Sequence, residues 1–312
     1  MKTYKNMLRT GTAAFAALSL MIGVMSSQQA AWAASENKAT FAFGLVADAQ
    51  YCECDTNGTR NYRASLDKMK EAAATFNKHD LAFTIQLGDI IDRDKSSFSK
   101  IVPLYNQIKG PRYHVLGNHD FPVPVDEVVR ILEMPRPYYD FSKDGWRFVV
   151  IDTNDLSSYE DPTNADKKET AESYLEVLKW SGAMNAQTWN GGVSSEQMTW
   201  LQNVLAQAKQ ANEKVVVFGH MALYPKNEHN VWNDEALLKT LESAGNVVAY
   251  FNGHNHAGNY GFKNGVHYLN FQGMVETPDS NSYSIVKVYP DRLEIDGYGR
   301  EKDRTLKIGK EK

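Results

Sequence analysis

Cysteine is scarce. Only two occur in 312 residues, Cys52 and Cys54, which excludes a fold held together by a disulfide scaffold. An excess of positive charge is also missing: 34 Lys and Arg face 38 Asp and Glu, for a net charge of -4, so no global field recommends the surface to nucleic acid. No Pro-, Gly- or Ser-rich linker interrupts the chain, and no internal repeat runs through it. Phosphate-binding glycine loops and Ser or Thr nucleophile constellations are absent from the sequence too. With 42% hydrophobic and 23% charged residues, what remains is the composition of an ordinary globular protein of enzyme size.

The chain begins unevenly. Lys2, Lys5 and Arg9 precede an uncharged, mostly apolar run over 11–25, and Ala31-Trp32-Ala33 supplies a small-x-small site before Ala34. This is the order of a cleavable secretory signal, and the run is shorter than the roughly 20 residues a spanning helix needs. A retained anchor is the alternative reading. The expectation is an exported protein, periplasmic or secreted after cleavage near Ala33, with no stable membrane anchor and with 34–312 as one domain. Cleavage removes three cations and no anion, leaving 31 against 38, or -7.

Downstream, apolar strand-like runs alternate with helical periodicity. Residues 40–47, 81–87, 112–116, 146–151, 215–218 and 246–251 read as strands, and Leu66, Met69, Ala73 and Phe76 recur at helical spacing. Ser194-Ser195-Glu196-Gln197 carries a capping-box pattern ahead of a second helix. Runs over 266–271, 283–289 and 292–298 are spaced as a meander, and 157–168 looks like a surface excursion. The predicted class is α/β with an appended antiparallel part.

Five of the runs stop at a short turn that carries Asp, Asn or His. These are Asp48-Ala49-Gln50, Gly88-Asp89, Gly117-Asn118-His119-Asp120, Gly219-His220 and Gly253-His254-Asn255-His256. Open α/β sheets bind ligands outside the carboxyl ends of their strands, so residues distant in sequence should converge there. One such His is more often structural than a ligand; five such ends together make coincidence a poor explanation. In extended chain, residues two apart face the same side, so Asp48 with Gln50 and His254 with His256 can each face one cluster. Asp89 can bridge two cations, while Asn118 adds a carbonyl oxygen and His220 an imidazole. Two carboxylates, two amides and three imidazoles suffice for two divalent ions, about 3.5–4 Å apart in a two-metal clamp. A donor set without thiolate favours Mn, Mg or Fe over a structural zinc.

These motifs, in this order, resemble those of the calcineurin-like metallophosphoesterase superfamily. The common first motif has His where this chain has Gln50, a feature shared with the manganese-dependent ADP-ribose/CDP-alcohol diphosphatases. Similarity to that group extends to Tyr62-Arg63-Ala64-Ser65-Leu66, Gly88-Asp89-Ile90-Ile91-Asp92, Asn190-Gly191-Gly192 with the Ser195-Glu196-Gln197 helix start, Val231-Trp232-Asn233 and Gly273-Met274-Val275-Glu276-Thr277-Pro278, over roughly 41–300. The resemblance implies a four-layer αββα sandwich with its active site at the strand carboxyl ends. It places the first metal on Asp48, Gln50, Asp89 and His256, and the second on Asp89, Asn118, His220 and His254. Two divalent ions are expected, Mn first, with Fe, Mg, Co or Zn as alternatives. The implied reaction is attack by a metal-bridging hydroxide on the pyrophosphate of a small nucleotide derivative. His119 would act near the leaving oxygen and Asp120 would orient its ring.

Arg60 and Arg63 are candidates for pairing with a second phosphate, and Tyr224 and Trp232 for stacking on a nucleobase, each against a plain solvated or packing role. The loop 221–230, with Lys226 and His229, has its own sequence, which leaves base preference open. Cys52 and Cys54 read either as a disulfide or as free thiols at the site entrance. The alternative activities are a broad phosphodiesterase or phosphomonoesterase, cyclic nucleotides included. Outside enzymes, the alternative is an exported metal- or nucleotide-binding protein without turnover.

Overall fold

The structure is a computed structural model that describes residues 38–159 and 165–309; the export signal expected over 1–33 lies outside the described residues. Two six-stranded mixed sheets pack face to face. The first runs β12-β11-β10-β1-β2-β3, the second β4-β5-β6-β7-β9-β8. In the first, β1 (Phe41–Val46), β2 (Phe83–Gln86) and β3 (Arg112–His114) are parallel; in the second, β5 (Trp146–Val150), β6 (Lys214–Phe218), β7 (Val247–Asn252) and β9 (Val266–Asn270) are parallel. β4 (Tyr139–Lys143) and β8 (Asn259–Lys263) close the edges of the second sheet as hairpin strands. Among the described residues, no helix is long and apolar enough to cross a membrane.

The space between the sheets is filled by aromatic rings. Phe43 stacks on Phe83 with centroids 4.7 Å apart, and Phe148 meets Phe83 edge-on at 4.8 Å. Such pairs add to the area they bury, so the inner face is both the largest apolar mass and a specific lock between the sheets. The outer faces are covered by helices. Ser65–Phe76 turns Met69, Ala72, Ala73 and Phe76 inward, and Ser195–Gln210 with Asp234–Ala244 buries Leu201, Leu205, Leu237 and Leu241 against the second sheet. The result is the expected αββα layering.

Two expectations change. The run over 266–271 is not part of a meander with the later strands: β9 pairs in parallel with β7, while β10 (Ser282–Val288), β11 (Arg292–Gly299) and β12 (Arg304–Lys307) extend the first sheet antiparallel from β1. All three runs read as strands, and only their pairing settles which sheet each joins: β9 with β7 and β8, β10 with β1, and β11 with β10. The capping box is also half formed. The Ser194 hydroxyl accepts from Gln197 N at 3.2 Å, but the Gln197 side chain goes to Asp152 and Asp155 instead of returning to the cap. A helix at Ala165–Trp180, within the expected surface excursion and beyond it, carries a weak apolar stripe that periodicity alone did not expose.

His114 gives the fold an acid weakness. It is buried on β3, its Nδ1 3.2 Å from Gln86 Nε2, and burial, aided by Arg112, lowers its pKa to about 3. The unfolded chain takes up this proton near pH 6.5 and the native protein does not, so stability present above 6.5 is lost as pH falls toward 3. Between 6.5 and 5 the loss is about 2 kcal/mol. Urea midpoints at pH 7 and 5 should therefore separate less in His114→Gln than in the wild type; equal separations would show that His114 is not the cause.

Candidate metal centre

Each motif sits just past a strand. Asp48 and Gln50 follow β1, Asp89 follows β2, Asn118 follows β3, His220 follows β6, and His254 and His256 follow β7. Four of these, Asp48, Gln50, Asp89 and His254, have left-handed φ values of 49°, 42°, 54° and 70°. Non-glycine residues avoid that region, and strain of this kind persists where surrounding contacts over-determine the backbone, as at functional sites.

The side chains meet. Asp89, His220 and His254 form one buried group whose donor atoms lie within 4.8 Å of one another, and Asp48, Asp89 and His256 form a second that shares Asp89. His220 Nε2 is 3.3 Å from Asp89 Oδ2, 3.1 Å from Asn118 Oδ1 and 3.1 Å from His254 Nδ1. Gln50 Nε2 donates to Asp89 Oδ2 at 2.9 Å, and its Oε1 is buried with no partner. An orphaned buried carbonyl costs free energy unless something binds it, and this one is on a side chain hydrogen-bonded to Asp89, the carboxylate the two groups share. The residues therefore fit two divalent cations of the hard or borderline kind.

Every imidazole is fixed from behind. His220 Nδ1 donates to Leu87 O at 2.8 Å, His254 Nε2 to Asn190 Oδ1 at 2.9 Å and His256 Nδ1 to Glu276 Oε1 at 2.7 Å. The opposite nitrogen of each ring is thereby turned toward the cluster, the usual effect of partners behind metal-binding His. Burial opposes charge on His220 and His256. The Asp89 carboxylate outweighs it for the first, and hydrogen bonds to Asp48 and Glu276 for the second, so each holds a proton up to about 9. Burial likewise opposes charge on Asp89, but His220 and His119 keep its carboxyl well below the usual range. A cation entering the cluster displaces these protons.

His119 is half-buried beside the cluster, its backbone N–H donating to Asp89 Oδ1 at 2.8 Å. Its ring is not oriented by Asp120. That carboxylate is buried and accepts four backbone N–H groups, from Asp89, Ile90, Ile91 and Gly117, which bind the β2 and β3 turns together. Asp92 holds His119 instead, with Oδ1 2.9 Å from Nδ1. Burial disfavours a proton on His119, yet Asp89 and Asp92 hold its pKa above the ordinary value.

Of the four substrate candidates, one lies at the cluster. The half-buried Arg60 pairs as an isolated antiparallel bridge with Glu276, the residue that holds His256. Arg63 is committed elsewhere, to Glu53 at 2.7 Å and Asp55 at 3.0 Å, on an exposed loop. Trp232 is 2% exposed, packs with Leu156, Ala171 and Leu175, and donates Nε1–H to Gln187 O, so it is core and not a base platform. Tyr224 packs edge-on against Tyr268 at 5.7 Å, with Lys263 over its ring and Gly261 beneath, on the β8 edge. Sequence reasoning missed Trp189, whose half-exposed ring lies 5.2 Å from that of His254. It also gave no role to Asp92, Asn190 or Glu276, although all three stood inside segments noted for their similarity. Cys52 and Cys54 are joined as a disulfide, with Cys52 buried against Tyr62 and Val275 beside Gln50.

Stacked mixed sheets, with nitrogen and oxygen donors gathered around one shared carboxylate at the strand ends, define a two-metal hydrolase. The chain belongs to the calcineurin-like phosphoesterase family, whose pattern matches residues 42–258. It is 32% identical to a human manganese-dependent ADP-ribose/CDP-alcohol diphosphatase over 87% of this chain and 94% of that protein. Against the enzyme of the same name from Oryza sativa subsp. japonica the identity is 31%, over 88% and 96%. A dimetal phosphatase structure from Danio rerio superposes with a TM-score of 0.80 at 26% identity, over 87% of this chain and all of that one.

Proposed function

We propose that this chain is a manganese-dependent hydrolase that cleaves the pyrophosphate bond of nucleoside diphosphate derivatives such as ADP-ribose and CDP-alcohols. The observation that carries the reading is the pair of buried donor groups sharing Asp89, in a chain about one-third identical to diphosphatases over nearly their whole length. Asp48, Gln50, Asp89 and His256 would hold one ion, and Asp89, Asn118, His220 and His254 the other. Two bound cations supply charge neutralisation for the phosphates and an acidified water.

The protein groups do the rest. Asp92 accepts the Nδ1–H of His119, so His119 presents Nε2 to the leaving oxygen and can give it a proton. Arg60 faces the second phosphate, for which a guanidinium fork is suited. Trp189 offers a ring face to the nucleoside at the rim beside His254. We further propose that the enzyme is a single domain exported by its N-terminal segment. The basic, apolar, small-residue order of that segment supports this, as does a Cys52–Cys54 disulfide, which persists in oxidising compartments.

On Mn-loaded mature protein, ADP-ribose should give AMP and ribose 5-phosphate by mass, with CDP-choline cleaved comparably. Simple monoesters or cyclic nucleotides turned over orders of magnitude more efficiently would replace this reading with the broad phosphoesterase. No turnover after chelation and single restoration of Mn, Mg, Fe, Co or Zn would leave only a binding protein.

A further inference from the structure

The histidines around the cluster are not alike. His119 faces Asp92, His220 faces Asp89 and His256 faces both Asp48 and Glu276, so each has a carboxylate to hold it as a cation. Among the described residues His229, like His254, has no such ion pair. Its half-buried ring lies 5.0 Å from that of Trp189 and stands at 81° to that of His254 at 5.5 Å, and its Nδ1 is buried with no hydrogen-bond partner.

The loop that carries His229 is tied to the metal centre. His229 N donates to Asn227 Oδ1 at 2.8 Å and its carbonyl accepts from Ala222 N at 3.1 Å. The neighbouring Glu228 carbonyl accepts from Asn190 Nδ2 at 2.7 Å, and the other end of that same amide holds His254. One buried Asn thus sets both a cluster imidazole and the position of His229. A ring placed so firmly, with an orphaned nitrogen, is poised to bind something the protein does not supply.

We propose that His229 is a specificity-determining residue that hydrogen-bonds the nucleoside part of the substrate. This rests on the nucleotide reading of the site. An imidazole can both donate and accept a hydrogen bond, which matches a hydroxyl or the edge of a base, whereas a phosphate oxygen only accepts. Arg60 supplies the cation that phosphate requires, so the two residues divide the substrate between them. Trp189 beside His229 supplies the apolar surface that such a nucleoside covers.

Binding of AMP and of inorganic phosphate to the Mn-loaded enzyme, measured by titration calorimetry, tests this. His229→Leu should weaken AMP about tenfold and leave phosphate within about twofold, and His229→Gln, which keeps a donor and an acceptor, should recover most of the loss. Equal weakening of both ligands would make His229 a support of the metal centre, and no change in either would remove it from the site; each overturns the proposal. Wild-type turnover of ADP-ribose, run alongside, reports separately on the diphosphatase reading.

Discussion

Replacing Asp89 by Asn is expected to lower kcat/KM for ADP-ribose by about 1,000-fold or more at saturating Mn. Asp89 is the one residue common to both candidate metal groups, and its two oxygens also accept from Gln50 Nε2 and His119 N. Asn keeps the shape and tolerates the left-handed φ of 54°, so the backbone should hold. What it lacks is the second anionic oxygen, so a cation held by either donor group would lose a carboxylate ligand. Titration calorimetry should show Mn binding weakened in the same variant while its thermal unfolding in chelator stays close to wild type. A loss of activity below tenfold would remove Asp89 from the metal centre.

Gly117→Ala should cost about 100-fold in kcat/KM although Gly117 donates nothing to the cluster. Its backbone is extended, with φ -106° and ψ 166°, so any residue could adopt the conformation. The constraint is space: a Cβ there would lie 2.2 Å from both the Asp89 nitrogen and Asp89 Oδ1. Either the β3 turn moves away or the Asp89 carboxylate rotates away from the two donor groups it joins, and both would misplace a reacting centre that tolerates little displacement. Gly192→Ala is the control, since its nearest neighbour would be the Asn233 Oδ1 at 3.4 Å, an ordinary contact. Comparable losses in the two variants would show that the effect is not specific to the carboxylate.

Both predictions concern residues that stand out in the sequence, and the reason is local. A strand that ends in a short turn with Asp, Asn or His announces itself in a few consecutive residues, and this chain does so five times, four of them with a glycine in the turn. The split of the last strands between two sheets was not legible in that way, because β9 and β10 are both short, largely buried runs whose sheet is decided by their partners. Trp232 shows the same limit. Sequence context makes it an aromatic near a candidate site, and only its packing against Leu156, Ala171 and Leu175 makes it core.

The sequence by itself determined the class of chemistry: which donors exist, in what order, and that each lies past the end of a strand, since strand, turn and ligand type are written in neighbouring residues. Tertiary structure alone decided who holds whom. Asp92 and not Asp120 orients His119, Asn190 and Glu276 choose which imidazole nitrogen faces the cluster, and His229 is left with an open valence at the rim. The Asn190–His254 and Glu276–His256 pairs join residues 64 and 20 positions apart, brought within hydrogen-bond reach by packed sheets and the loops between them, and no local pattern encodes that distance.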